Sequence, residues 1–163
     1  MKNLTATICL TLAVLLGSAG VSASAEFHKG VAAYKSGDYA TALREWEPLA
    51  EQGNTGAQSN LGYMHSKGHG VPQDYKLAVK WYTLAAEQGD ASAQSNLGWM
   101  YDKGHGVIRD DIYAHMWGSI AASNGNESGG KLRDTVEQVL TPPQLETAQR
   151  FARECVRKKY KEC

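Results

Sequence analysis

Charge of one sign is the first thing this sequence lacks. Its 17 Lys and Arg are balanced by 17 Asp and Glu, so it exerts no general pull on nucleic acid or anionic lipid. Long hydrophobic runs are also missing beyond the first residues, which excludes a later membrane span. No segment alternates apolar and polar residues as a half-buried strand would, so helices must build the fold. No glycine-rich phosphate loop follows a strand, and neither paired carboxylates nor a Cys/His nucleophile arrangement can be picked out. Cysteine is scarce, at positions 9, 155 and 163.

The start of the chain has a recognisable order. Lys2 precedes an uncharged apolar run from Leu4 to Leu16, and Ala23-Ser24-Ala25 follows in A-x-A order. This predicts a secretory signal peptide over residues 1–25, cleaved before Glu26. The run is too short for a ~30 Å hydrocarbon core, so no stable membrane insertion is expected. Cys9 lies inside the run rather than at the cleavage point, which argues against a lipid anchor. Cleavage leaves 138 residues, enough for one domain with a modest core. Two cysteines remain, an even number in an exported chain, and point to one disulfide. On one continuous helix, residues eight apart are separated by ~12 Å, against a tolerated Cα separation of up to ~6.8 Å. A Cys155–Cys163 bridge within the chain, the favoured form, therefore needs the last helix to end near Arg157 to Lys159 and turn back. Otherwise the thiols stay free or pair between chains.

The centre of the chain repeats. Residues 57–62 read AQSNLG, and so do residues 93–98, 36 positions on; of the 15 positions from 57 to 71, 12 are identical in the second copy. Such a period predicts stacked supersecondary units, which mostly present surfaces to partners. Ala57, Leu61 and Met64 mark one face of a first helix over about 57–66, ended by Gly68-His69-Gly70. Asp74 is the expected N-cap of a second helix. That helix carries one stripe of Ala78, Tyr82, Ala85 and Ala86 and another of Leu77, Trp81 and Leu84, so it should pack on two sides. Asp110, Trp117 and Gly125 repeat Asp74, Trp81 and Gly89. A shortened first unit shows Tyr39, Ala42, Ala50 and Gly53 in place of Tyr75, Ala78, Ala86 and Gly89, with a loop four residues shorter. Beyond Asn124 the expectation is a glycine-rich turn over Gly125 to Gly130, a short helix from Lys131 to Leu140, and a last helix started by Thr141-Pro142-Pro143. The apolar face of that last helix is Leu145, Ala148, Ala152 and Cys155.

The fold class is therefore all-α: a short right-handed α-solenoid with a C-terminal helical cap. Its divisions are 26–56, 57–92 and 93–128 for the repeats and 129–163 for the cap. Leu61-Gly62, Gly68-x-Gly70-Val71, Asp74, Ala78, Trp81-Tyr82, Ala85-Ala86 and Gly89 resemble the Sel-one-like repeat (SLR) family, relatives of the tetratricopeptide repeats. So do Leu97-Gly98, Tyr101, Gly104-x-Gly106-Val107, Asp110, Ala114, Trp117, Ala121-Ala122 and Gly125. Residues 140–154 also look like the endings of small exported members. Three positions depart: His65 stands where Tyr101 carries the usual aromatic, Ile108 replaces Pro72, and Gly118 replaces Tyr82. The last should repack the third unit against the cap. The resemblance implies an adaptor that holds a protein partner on a helical surface, in a bacterial periplasm or secreted.

Candidate binding residues lie opposite the core stripe of the first helices. At 100° per residue, Ser59, Tyr63 and Ser66 point away from it, as do Ser95, Trp99 and Asp102 one unit on. Two large aromatics in one register suit partner anchoring; the competing reading is that a neighbouring helix buries them. Such a platform also suits sugar rings, so a cell-wall glycan module is a second alternative. His69 and His105 sit singly in their loops and are read as solvated, with no metal site and no cofactor expected. Some relatives have been linked to β-lactam chemistry, which uses S-x-x-K, S-x-N and K-[ST]-G in that order. Ser128-Gly129-Gly130-Lys131 fits the first, Lys35-Ser36-Gly37 fits the last but precedes it, and no S-x-N exists. The two glycines should also prevent a firm turn between Ser128 and Lys131, so the chain is read as no enzyme, with a β-lactam-hydrolase-like enzyme as the first alternative. The basic run Arg157-Lys158-Lys159 with Lys161 is expected to solvate the last helix and complement its dipole. Three units barely suffice for a stack, which leaves homodimerisation through an end unit open.

Overall fold

The computed structural model describes residues 22–163, so most of the expected signal peptide lies outside the described residues. Eight helices and no strand occur among them: α1 over 22–36, α2 (Tyr39–Glu51), α3 (Thr55–Lys67), α4 (Tyr75–Ala86), α5 (Ala91–Lys103), α6 (Asp111–Ser123), α7 (Glu127–Glu137) and α8 (Pro142–Arg157). The helices follow one another as the pairs α1–α2, α3–α4 and α5–α6, in the order expected of three repeats, and α7–α8 stand where the cap is expected. Side-chain caps start α2 to α7: Asp38, Asn54, Asp74, Asp90, Asp110 and Asn126 each accept a backbone N–H of the following turn, satisfying donors that a helix start leaves unpaired. Gly68 and Gly104 close α3 and α5 in the left-handed region, at φ 69° and 68°.

Neighbouring repeats are joined through two apolar clusters and a repeated amide relay. Ala42, Trp46, Leu49, Ala50, Ala57, Leu61 and Met64 bury the first junction. Ala78, Tyr82, Ala86, Leu97, Met100, Met116 and Trp117 belong to the second cluster, which also takes in Cys155 of α8. Gln58 Nε2 donates to the Ala50 carbonyl at 3.0 Å, and its Oε1 accepts from Gln88 at 2.7 Å. Gln94 does the same one repeat on, with Ala86 at 3.1 Å and Asn124 at 2.8 Å. The second stripe of α4 behaves otherwise than expected: Leu77 and Trp81 are half-buried and Leu84 is 37% exposed. Only the Ala78–Tyr82 side of α4 is fully packed.

The cap departs most from expectation. Residues 127–130 form no turn but the first turn of α7, and that helix ends at Glu137 rather than Leu140. Glycine costs about 1 kcal/mol in a helix, yet here it permits contact. A Cβ on Gly129 would lie 2.5 Å from Ala121 Cβ, and one on Gly118 would lie 3.0 Å from Gly129 O. Helices α6 and α7 thus touch through backbone, as the loss of the aromatic at position 118 foreshadows. Thr141 starts α8, with its N–H and hydroxyl both donating to Gln144 Oε1. After Arg157 the chain turns back through Lys159, Tyr160 and Glu162, all at positive φ. Cys155 and Cys163 are joined by a disulfide across a Cα separation of 5.2 Å. The returning basic segment does more than complement a helix dipole: Lys161 Nζ is 3.7 Å from Glu87, and the Tyr160 hydroxyl donates to Asn124 Oδ1 at 3.2 Å. The cap is thereby tied to the ends of α4 and α6. No described helix is long and apolar enough to cross a membrane.

Candidate protein-binding face

Each first helix carries a glycine that admits a large side chain, and the filler changes along the stack. A Cβ on Gly30 would run into the Trp46 indole, one on Gly62 would lie 2.7 Å from the Tyr82 ring, and one on Gly98 2.8 Å from Leu132 Cδ2. Trp46 and Tyr82 come from the same repeat as their glycine. Leu132 comes from α7, because the residue equivalent to Tyr82 is Gly118. These notches fix the rotation of α3 and α5, and so decide which of their residues face outward.

Tyr63 and Trp99 do face outward, at 40% and 36% exposure. Lys67 extends between them, its ammonium 5.7 Å from the Tyr63 ring centroid and 5.8 Å from that of Trp99, within cation–π range. A cleft of about 230 Å³ opens beside this group, walled also by Ser66, Tyr82, Asn96 and Met100. Burial pushes the Tyr82 hydroxyl above the ordinary tyrosine range, so it lines the cleft floor as a neutral group.

The other four candidates occupy different places. Ser66 is buried and bonded to the Tyr63 carbonyl at 2.8 Å, with Tyr82 Oη at 3.4 Å, and it helps to wall the cleft. Ser59 is half-buried and donates to Asp90 Oδ1 at 3.2 Å, a link between repeats. Ser95 is buried, one turn before Gly98. Asp102 pairs with Lys103 at 2.8 Å. A helix flanked by its own partner and by the next repeat leaves free an arc narrower than half its circumference. Helical phase alone therefore put too many residues on the open face.

The loop histidines are half-buried against aromatic rings rather than free in solvent. His69 stacks on Tyr39 at 4.9 Å and shares a 2.7 Å hydrogen bond with the Tyr34 hydroxyl. His105 stacks on Tyr75 at 4.2 Å and meets the Trp99 ring edge-on at 4.8 Å. The left-handed glycine turns each imidazole onto the first residue of the preceding repeat's second helix. Tyr39 to His69 and Tyr75 to His105 are both 30 positions apart, a spacing from which this stacking could have been read. His105 thus buttresses Trp99. Among the described residues no group of three or more His, Cys, Asp or Glu could hold a metal.

Ser128 and Lys131 are exposed on α7. The helical turn that their glycines were expected to prevent does form, but Lys35-Ser36-Gly37 lies at the end of α1, in the first repeat.

A stack of helix–loop–helix units with an open aromatic face defines an α-solenoid of the helical-repeat class. The chain matches the Sel1 repeat over residues 55–90 and 91–126, starting each unit two residues before the divisions at 57 and 93. It is similar in structure to a protective antigen present in uropathogenic Escherichia coli strains and displaying an SLR fold. The TM-score is 0.81 and the identity 32%, over 86% of this chain and 31% of that one. A Sel1 repeat protein from Oxalobacter formigenes matches with TM-score 0.65 and 33% identity, over 78% of this chain and 55% of that one. The chain thus spans about a third and about half of the lengths of these two relatives. No curated protein matches it. The chain belongs to the Sel1 repeat family. Sel1 repeat proteins mediate protein–protein interaction, and their fold is typically a non-catalytic scaffold.

Proposed function

We propose that this protein is an exported adaptor of the bacterial envelope or the extracellular space, which captures a protein partner on the face carrying Tyr63 and Trp99. The observation that carries the reading is the exposure of both rings in one register of adjacent repeats, with Lys67 between them. Large aromatics left in water are the residue type that anchors interfaces. Export is supported by the apolar N-terminal run, by a disulfide that suits an oxidising compartment, and by a relative that serves as a protective antigen. Dimerisation through an end repeat belongs to the same reading.

Cross-linked capture from the native envelope, with the intact protein as bait, tests it. Tyr63→Ala with Trp99→Ala should remove the partner while leaving the fold intact; an unchanged set of captured proteins would refute the site. Fractionation with N-terminal sequencing tests export, and a mature chain starting at Glu26 is the expected result.

A further inference from the structure

Among the described residues, the space equivalent to the cleft between Tyr63 and Trp99 is filled at the preceding junction, and the filler is one residue. Counting back 32 positions, to allow for the shorter first loop, Gly62 aligns with Gly30, Lys67 with Lys35 and Ser66 with Tyr34. Tyr34 fills its junction: it stacks on Trp46 at 5.8 Å, meets the Tyr63 ring edge-on at 6.3 Å and bonds His69. Serine at position 66 leaves the equivalent space open. One repeat later the same position is Asp102, which neutralises Lys103. Among the described side chains Lys67 makes no such ion pair, and every other residue walling the cleft is uncharged. The second junction therefore combines an open notch, two exposed rings and an uncompensated cation.

We propose that this notch receives an acidic side chain, aspartate or glutamate, from an extended segment of the protein partner. Its carboxylate meets the Lys67 ammonium, and its apolar neighbours lie on Tyr63 and Trp99. The inference rests on the adaptor reading and specifies what the partner must present. A cation already held over two rings gives up little freedom on pairing, and a carboxylate would complete a charge-assisted contact.

The test uses the full chain and two capped peptides, acetyl-Ala-Leu-Glu-Leu-Ala-amide and its Gln counterpart, followed by the NMR signals of the Trp99 indole and the Tyr63 ring. The Glu peptide should shift both signals saturably, and the Gln peptide should bind roughly fivefold more weakly, the scale of one exposed charge pair. Lys67→Gln should erase that difference. Ser66→Asp, which copies the Asp102–Lys103 arrangement, should do the same. Ser66→Tyr, which copies Tyr34, should abolish both responses. Equal binding of the two peptides, binding indifferent to Ser66→Tyr, or a response only to a muramic-acid disaccharide would overturn the proposal. If partner capture needs Tyr63 and Trp99 but ignores Lys67→Gln and Ser66→Tyr, the adaptor reading stands and this inference fails.

Discussion

The second and third repeats share a first helix of nearly one sequence, yet complete it in opposite ways. In the second, the Gly62 notch is filled from within the repeat by Tyr82, which is 1% exposed. In the third, Gly118 removes that ring, lets α7 approach to backbone contact and leaves the Gly98 notch to Leu132. The second repeat is thus a self-sufficient unit, and the third is finished only by the cap. Family resemblance in the first helix does not guarantee independence of the unit.

The comparison breaks most sharply at the two fillers. Tyr82→Ala should cost about 3–5 kcal/mol, the usual range for emptying a buried aromatic site. Leu132→Ala, at a half-buried position, should cost about 1–2 kcal/mol. Chemical denaturation of both variants measures the gap. Equal costs would mean that the third notch is as much a core site as the second.

The disulfide tests whether the cap acts as a local closure. A loop of this length predicts about 2–3 kcal/mol of stabilisation from restricting the unfolded chain. Reduction, or Cys163→Ser with Cys155→Ser, should lower stability by that order. Amide exchange should speed up in residues 158–163 and at the ends of α4 and α6, where Tyr160 and Lys161 are moored, while α2 and α3 keep their protection. Uniform acceleration along the chain would show instead that the cap governs the whole stack.

How much of this was legible depends on how far apart the interacting groups lie. Ala57, Leu61 and Asp74 follow from helical period and cap chemistry, which are local, and they stand where the pattern put them. Gln58 and Gln94 sit in the same repeated block, but their amide partners Gln88 and Asn124 are 30 residues away, beyond any helical period. Gly129 and Gly130 read as a turn because propensity is local, while the contact with Ala121 that favours a helix is tertiary. Of the candidate site, Tyr63 and Trp99 were recoverable from phase and size. Ser95 and Ser59 were not, since the burial of one and the bond of the other to Asp90 arise only from tertiary packing.

The amide relay gives a smaller and more even effect. Gln58→Ala and Gln94→Ala should each cost about 1–3 kcal/mol, because each removes two hydrogen bonds of the relay, while the Ala50 and Ala86 carbonyls keep the backbone N–H groups of Gly53 and Gly89. Similar values at both junctions would show that the relay, unlike the notch, is indifferent to whether the next unit is self-sufficient. A much larger cost at Gln94, which is fully buried, would tie the relay to the cap.

The smallest effect is acid sensitivity, and it again separates the two repeats. Burial holds the pKa of His65 in the second repeat below the ordinary 6.5, against the opposing pull of Asp74 and Glu47. Burial does the same to His115 in the third, where Glu137 and Asp134 pull upward and Arg133 downward. The His115 Nε2 atom lies 3.5 Å from Glu137 Oε2 but outside hydrogen-bonding alignment. As pH falls below about 6.5, the unfolded chain takes up protons before the folded one does. Stability present above that pH is therefore lost until the folded pKa values are passed. Removing the carboxylate by Glu137→Gln would depress the His115 pKa further and steepen the loss. His65→Tyr, which installs the residue found at Tyr101, would flatten it by removing one titrating ring. Thermal melts between pH 7.5 and pH 5 read both slopes. If Glu137→Gln left the slope unchanged while His65→Tyr abolished it, the acid response would belong to the second repeat alone, and the α6–α7 contact would be insensitive to the charge on His115.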